Sequence, residues 1–309
     1  MFVSPARFRV VALAALVAMV LIVVTGGAVR LTGSGLGCSS WPGCAPGHFV
    51  PPLGYHHWVE FGNRIVSGFV VIVSALAVVA ARLRRPRRRD LTWLSYGLVA
   101  GVLAQVLLGA LTVHFDLRPP WVMAHFLLSM LPVLDAAVLH WRAGEHADLD
   151  PLVVRRDVQL LCNAIVAVGA AVLVLGTIVT GTGPHAGDKR SARFGFDLRT
   201  VAQAHADGVM VLVGLTLALG LVLVATGLWH SARGFYLPLA VVMGAQAATG
   251  FTQYALHLPA GLVEVHVLGA TLFWLAALRL ALSVHAPMAV PAETQIRAAT
   301  ATAANSTVR

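Results

Sequence analysis

Charge is what this sequence most lacks. Only 11% of its 309 residues are charged and 58% are hydrophobic, against about 25% charge in a soluble domain. With a mean hydropathy of +0.80, that balance excludes the soluble globular class and points to a polytopic membrane protein. Cysteine is scarce too. Three cysteines allow one internal bridge at most. Cys38 and Cys44 share a polar loop, and Cys162 sits alone in an apolar span, where it reads as a small packing residue. No cleavable leader is expected either: residues 8–29 follow Arg7 and Arg9, are long enough to span, and lack a clear small-residue cleavage site. They are expected to stay as a first helix. The net charge is +9, but the basic residues lie in short loops between apolar runs. They read as orientation signals and not as a nucleic-acid surface.

What is present is a set of eight apolar stretches, 9–29, 62–81, 92–113, 122–141, 158–180, 201–228, 235–254 and 261–284. Each is near the roughly 20 residues that a crossing helix needs. Backbone groups in lipid must be satisfied within the segment, so the predicted fold is all-α, with eight transmembrane helices. The loop Arg82-Leu83-Arg84-Arg85-Pro86-Arg87-Arg88-Arg89 should be cytoplasmic. Arg7, Arg9, Arg142, Arg155, Arg156 and Arg233 then fall on the same side, and both termini are expected inside. Lys189, Arg190, Arg193 and Arg199 oppose this from the loop between helices 5 and 6, but the six arginines of the short loop outweigh them. The tail 285–309, rich in Ala, Thr and Pro, is expected to be disordered.

The chain also repeats itself. Gln105, Gly109 and His125 recur at the same spacing as Gln246, Gly250 and His266. Thr32-Gly33-Ser34-Gly35 after helix 1 matches Thr180-Gly181-Thr182-Gly183 after helix 5. The expected organisation is two pseudo-repeated four-helix bundles in parallel orientation, residues 1–145 and 146–284.

His125, His205 and His266 open helices 4, 6 and 8, all at one depth near the outer face. The repeat makes Asn63, at the start of helix 2, the counterpart of His205. The second half therefore presents two imidazoles from facing helices, His205 and His266, the usual way a four-helix bundle fills both axial sites of a haem iron. Gly208 and Gly269 would let a flat macrocycle approach the backbone. Any one of these histidines alone would read as a polar residue bonded to a neighbouring carbonyl; three at matched depth point to haem. Zinc fits less well, because no further ligand stands at zinc spacing. The first half keeps His125 but has Asn63, a poor iron ligand, and it adds an acid. In the stretch His56-His57-Trp58-Val59-Glu60-Phe61-Gly62-Asn63-Arg64, a helix puts His56, Glu60 and Asn63 on one stripe. An ionisable group at the membrane rim is a functional candidate by default; the bland reading is an ion pair between Glu60 and Arg64 at i+4. His56 could substitute as a ligand from about 10 Å above Asn63 at the helical rise. His48, His114, His185 and His257, in or beside outer loops, rank lower, as do His140, His146, His230 and His285 on the cytoplasmic side. The asymmetry suggests electron transfer in the second half and chemistry in the first.

Gly27-Ala28-Val29-Arg30-Leu31-Thr32-Gly33-Ser34-Gly35-Leu36, then Cys38 and Trp41-Pro42-Gly43-Cys44, then Glu60, Asn63 and Arg64, then the three helix-opening histidines, resemble the haem A synthase family of bacterial type. The resemblance covers helices 1 to 8. It implies a bacterial plasma-membrane oxidoreductase that converts a ring methyl of haem O to the formyl group of haem A. His205 and His266 would hold haem b, His125 would belong to the substrate-haem site, and Glu60 would be the catalytic acid. Cys38 and Cys44 would correspond to the outer-loop pair that this family can form as a disulfide; free thiols and a redox relay are the other readings. Haem O is the implied substrate. A haem O synthase and terminal oxidase assembly factors are expected partners by analogy, beside membrane lipid and with no nucleic acid. One departure stands out: the family has His where this chain has Asn63. Either His125 alone holds the substrate haem, His56 supplies a replacement, or the ligand is dispensable. Two rival readings use the same residues. A membrane b-type cytochrome would relay electrons to or from quinone with the His pair alone, and a parallel-repeat transporter would use Glu60 as a proton or ion site without haem.

Overall fold

The computed structural model describes residues 2–38, 44–47, 50–144 and 155–284. The tail 285–309, the boundary at 145/146, Trp41, Pro42 and Gly43, and His48, His146 and His285 lie outside the described residues. Eight helices follow one another: α1 (Pro5–Leu31), α2 (Tyr55–Leu83), α3 (Arg89–His114), α4 (Pro119–Ala143), α5 (Arg156–Thr182), α6 (Leu198–Ala225), α7 (Trp229–Ala255) and α8 (Ala260–Val284). Each is long and apolar enough to cross a membrane, so the protein is an all-α multi-pass membrane protein.

The helices outrun the apolar windows at most ends, because a helix continues through polar and aromatic residues at the interface that a hydropathy window trims. The largest extension is at α2, which starts at Tyr55 and not near 62. α6 runs the other way. It stops at Ala225, short of the expected 228, where Thr226 caps it and Gly227 takes a positive φ of 73°. Local chemistry sets several starts. Ser4 accepts the Arg7 N–H ahead of Pro5, and Asp197 accepts the Thr200 N–H at 2.8 Å, each filling one of the orphan donors of a first turn.

α1, α2, α3 and α4 pack in a ring in that order, and α5, α6, α7 and α8 form a second ring. α1 and α4 meet α5 and α8 along a seam. Trp274 on α8 ties the seam by donating to the Met130 carbonyl of α4 at 3.2 Å.

Packing differs along the bundle axis. At the end where α1 begins, Phe8, Ala12, Ala15 and Ala18 are sealed against Ala77, Leu91, Val133, Ala136 and Leu139. Small residues let helices approach closely where lipid supplies no hydrophobic drive for association. This is also the arginine-loop end: Val3 and Arg85 pair backbone to backbone, and Arg88 reaches the Arg142 carbonyl at 2.8 Å. At the opposite end the helices splay around a cavity. There the α3–α4 and α7–α8 turns use the same device. Asp116 and Leu117 take φ of 53° and 56°, and His257 and Leu258 take 60° and 62°. In each turn the second residue's N–H returns to the carbonyl five residues back, Thr112 or Gln253.

Candidate functional site

Because α2 opens at Tyr55, the whole stretch from His56 to Arg64 is helical. Glu60 is 6% exposed. Its Oε1 accepts from Arg64 Nη2 at 2.6 Å, and its Oε2 accepts the Cys38 backbone N–H at 2.6 Å. The i+4 ion pair is therefore real, but it is half of the arrangement. A carboxylate taken out of water needs its second oxygen satisfied as well, and the donor for that oxygen comes from the loop after α1. Cys38 and Cys44 form a disulfide, with their Cα atoms 4.4 Å apart. The bridge is buried on Phe61, one residue past Glu60.

His56 and His57 fasten the same loop. His56 Nδ1 lies 2.9 Å from Ser34 Oγ, and His57 Nδ1 bonds the Gly37 carbonyl. His56 is exposed and does not line the cavity. The structure therefore places its imidazole on Ser34 and not beside Asn63 on the cavity wall. The one-stripe argument placed it on the right helix face, but the loop beside α2 takes its imidazole. Asn63 does line the cavity, and its Oδ1 accepts the Thr25 hydroxyl at 2.7 Å.

The three helix-opening histidines line the same cavity of about 2110 Å³, together with Glu60, Asn63, Arg64 and Arg30. That is about twice the upper end of pockets that hold a single drug-sized ligand. It is continuous across both halves. Each imidazole lies over a glycine of the preceding odd helix. A Cβ placed on Gly109 would be 3.2 Å from His125 Cε1, on Gly176 3.2 Å from His205 Cε1, and on Gly250 3.4 Å from His266 Cε1. Gln105 donates to the His125 carbonyl at 3.2 Å, and Gln246 to the His266 carbonyl at 3.1 Å. The Gln–Gly–His spacing thus has a physical content: amide and glycine on one helix hold and admit the imidazole of the next.

His205 and His266 face each other with ring centres 6.4 Å apart and planes at 72°. An iron–nitrogen bond of about 2 Å and about 1.1 Å from nitrogen to ring centre put the centres of a bis-imidazole pair about 6.2 Å apart. The spacing of the two rings suits a shared metal ion. His205 Nδ1 lies 3.1 Å from the Val172 carbonyl. A carbonyl only accepts, so this nitrogen carries the proton and Nε2 keeps the lone pair that binds a metal. His266 Nδ1 and His125 Nδ1 are sealed without a protein partner.

Three features were not legible as site residues in the sequence. Arg30 lines the cavity from the last turn of α1. Glu264 stands on α8 with both carboxylate oxygens sealed and unpartnered, against Gly27 of α1; a lone acid in Leu262-Val263-Glu264-Val265-His266 was its signal. His114, ranked low as a loop residue, is the last residue of α3 and lines the cavity. Gly208 meets Val172 and Leu175, and Gly269 meets Gln246, so these glycines serve helix packing and not the approach of a macrocycle.

Comparison with known proteins adds the following. A family model described as "Cytochrome oxidase assembly protein" matches residues 9–58 and 53–187, together more than half of the chain. Among curated proteins, "Heme A synthase" of Geobacillus thermodenitrificans is 37% identical over 115 residues, covering 36% of this chain and 35% of that protein. "Heme A synthase" of Bacillus pumilus is 33% identical over 172 residues, 53% of this chain and 56% of that protein. "Heme A synthase" of Symbiobacterium thermophilum is 39% identical over 125 residues, 40% of each. The chain spans between about a third and just over half of the length of these relatives.

Proposed function

The chain belongs to the cytochrome oxidase assembly protein family, and on that premise we propose that it is a haem A synthase of a bacterial plasma membrane. The reaction is the oxidation of a ring methyl of haem O to the formyl group of haem A. The observation that carries the reading is the pair His205–His266, 6.4 Å apart on the wall of a cavity that continues to an unlike pair, His125 and Asn63. One half offers two imidazoles to an iron; the other offers one imidazole and, on the same cavity wall, an acid. The relatives' printed name gives this asymmetry a use.

His205 and His266 would hold haem b, and His125 would bind the substrate haem. Bound there, haem b supplies one-electron transfer and the substrate haem presents its methyl group for oxidation. The rest falls to the chain. Val172 fixes the His205 ring so that Nε2 faces the site. Asn63, held by Thr25, leaves the position opposite His125 without an imidazole. Glu60 keeps a carboxylate at the cavity wall, where it exchanges protons as the methyl carbon loses hydrogen. Arg64 and the Cys38 N–H hold that carboxylate in place.

The matched left-handed turns, Gln–carbonyl bonds and His–Gly contacts support an internal duplication of residues 1–145 in 146–284. The arginine-loop end, where Val3 pairs with Arg85, is the cytoplasmic side, and α1 begins and α8 ends there.

The test is to purify the protein from cells supplied with haem O and identify the extracted haems. Haem A together with haem b is expected. Haem b alone, with no oxidised product, would replace the synthase by an electron relay. A preparation with no haem and a flat reduced-minus-oxidised spectrum would leave the transporter reading.

A further inference from the structure

We infer that Arg30 anchors a carboxylate of the macrocycle bound in the cavity. The inference rests on the function proposed above, since it is a haem, with two propionates on one edge, that brings the carboxylate.

Arg30 sits in the last turn of α1, at the seam where α1 meets the second half, and its side chain lines the cavity. Its stem is pinned. A Cβ on Gly187 would lie 3.7 Å from Arg30 Cγ, and the Gly187 carbonyl is itself held by the Gly35 N–H at 3.0 Å. Its head makes one hydrogen bond, from Nη2 to the Thr180 carbonyl near the end of α5, at 2.7 Å. Nε is sealed from solvent and has no partner. No carboxylate of the described residues stands within ion-pair distance of it. The other charge that reaches it is the cation Arg193.

The simplest alternative is a clamp: Arg30 reaches across the seam and ties α1 to α5. A clamp accounts for Nη2 alone. The C-terminal ends of α1 and α5 are also near, and each brings roughly half a negative charge. They offset the charge of the guanidinium, but they leave its donors unfilled. A guanidinium has five N–H donors in a planar fork, and a sealed donor without an acceptor is unfavourable by more than a typical hydrogen bond gains. The acceptor that matches a fork is a carboxylate, taken in two parallel bonds. Arg64, the neighbouring cation on the wall, already holds Glu60. Arg199, the third arginine on the wall, is exposed, so Arg30 is the one whose unfilled donor is sealed from water.

The experiment uses the full chain, purified in detergent and freed of haem. It is titrated by absorbance with iron protoporphyrin IX and with its dimethyl ester, which differ only at the propionates. The wild type is expected to bind the diacid about tenfold to a hundredfold more tightly than the diester, relative to the same ratio in Arg30→Gln, the range for losing one charged hydrogen bond. Arg30→Lys keeps the charge without the fork and should fall between them. Equal ratios in wild type and Arg30→Gln overturn the inference while leaving the proposed function standing. Failure of the wild type to bind either porphyrin sinks both. Should Arg30→Gln elute as aggregate, Arg30→Lys decides: an unchanged ratio overturns the fork, and a reduced one supports it.

Discussion

Glu60 and Cys38 are joined directly. The carboxylate of α2 accepts the backbone N–H of the loop cysteine at 2.6 Å, and the cysteine is bridged to Cys44. The acid on the cavity wall and the disulfide beneath the loop are therefore one unit. Arg64 closes it from the other oxygen. Whatever loosens the loop changes how Glu60 is held.

Glu60→Gln separates the catalytic from the structural use of this group. Breaking a buried ion pair by removing one partner costs about 3–5 kcal/mol, but Gln keeps one acceptor for Arg64 or Cys38, so the protein should still reach the membrane. Losing a proton-exchanging group lowers rate by about 10²–10⁴. The expected result is accumulation of haem O or a partly oxidised product, with haem b at the wild-type level. Haem A formed at the wild-type rate would leave Glu60 a purely structural residue.

Cys44→Ser should loosen the loop without touching α2. Loss of a native disulfide costs about 2–5 kcal/mol in small domains, and here the effect should be local, because the bridge closes only the loop after α1. Protease nicking of that loop should rise and haem A yield should fall, with the haem b spectrum unchanged. In the wild type, the thiols of Cys38 and Cys44 should label only after reduction. Labelling of both without reductant would contradict the bridge.

Much of this was legible beforehand, for identifiable reasons. Eight spans follow from hydropathy alone, since lipid leaves a chain no other way to satisfy its backbone. That the three helix-opening histidines share one cavity was legible because each is a polar residue at the same depth of an apolar helix, and the Gln–Gly–His spacing recurs. His56 was not. A stripe argument gives a helix face, and only the folded loop reveals that Ser34 occupies the imidazole. Arg30 and Glu264 were missed for the opposite reason. Each is a single charge near a helix end, where snorkelling to the interface is the ordinary expectation. Only tertiary packing puts the first on the cavity wall and seals the second against Gly27. Nor could periodicity report that one cavity joins the halves, which depends on how α1, α4, α5 and α8 meet.

The glycines beneath the imidazoles make a graded prediction. An alanine methyl at Gly176 would press on His205 Cε1 at 3.2 Å, whereas at Gly250 it would meet His266 Cε1 at 3.4 Å, an ordinary contact. Gly176→Ala should shift or weaken the low-spin haem b band, at an overpacking cost of about 1–3 kcal/mol, and Gly250→Ala should leave it close to wild type. Gly109→Ala, with 3.2 Å to His125, should disturb the substrate haem alone. The order is read from reduced-minus-oxidised spectra of the three variants. A band lost in Gly250→Ala but kept in Gly176→Ala would reverse the predicted geometry. His205→Ala and His266→Ala set the reference, as each should abolish low-spin haem b while the protein stays in the membrane.

Asn63→His tests the asymmetry itself. Asn63 and His125 both line the cavity in the first half, as His205 and His266 do in the second. On the proposed ligation, a haem bound by His125 would have one imidazole from the chain, and Asn63 would offer no second strong ligand. An imidazole at 63 offers a second strong ligand and gives up the Thr25–Asn63 bond at 2.7 Å, a loss of about 1 kcal/mol for a neutral pair. Two imidazoles favour the low-spin state, so the substrate haem of the variant should change from a high-spin to a low-spin spectrum. The haem b signal should not move. Tighter retention of the substrate haem should accompany the change, measured as slower transfer to an apo-globin acceptor. If the variant instead shows the wild-type spectrum in the first half, position 63 does not face the iron, and the ligation proposed for that half fails even though His205 and His266 keep theirs.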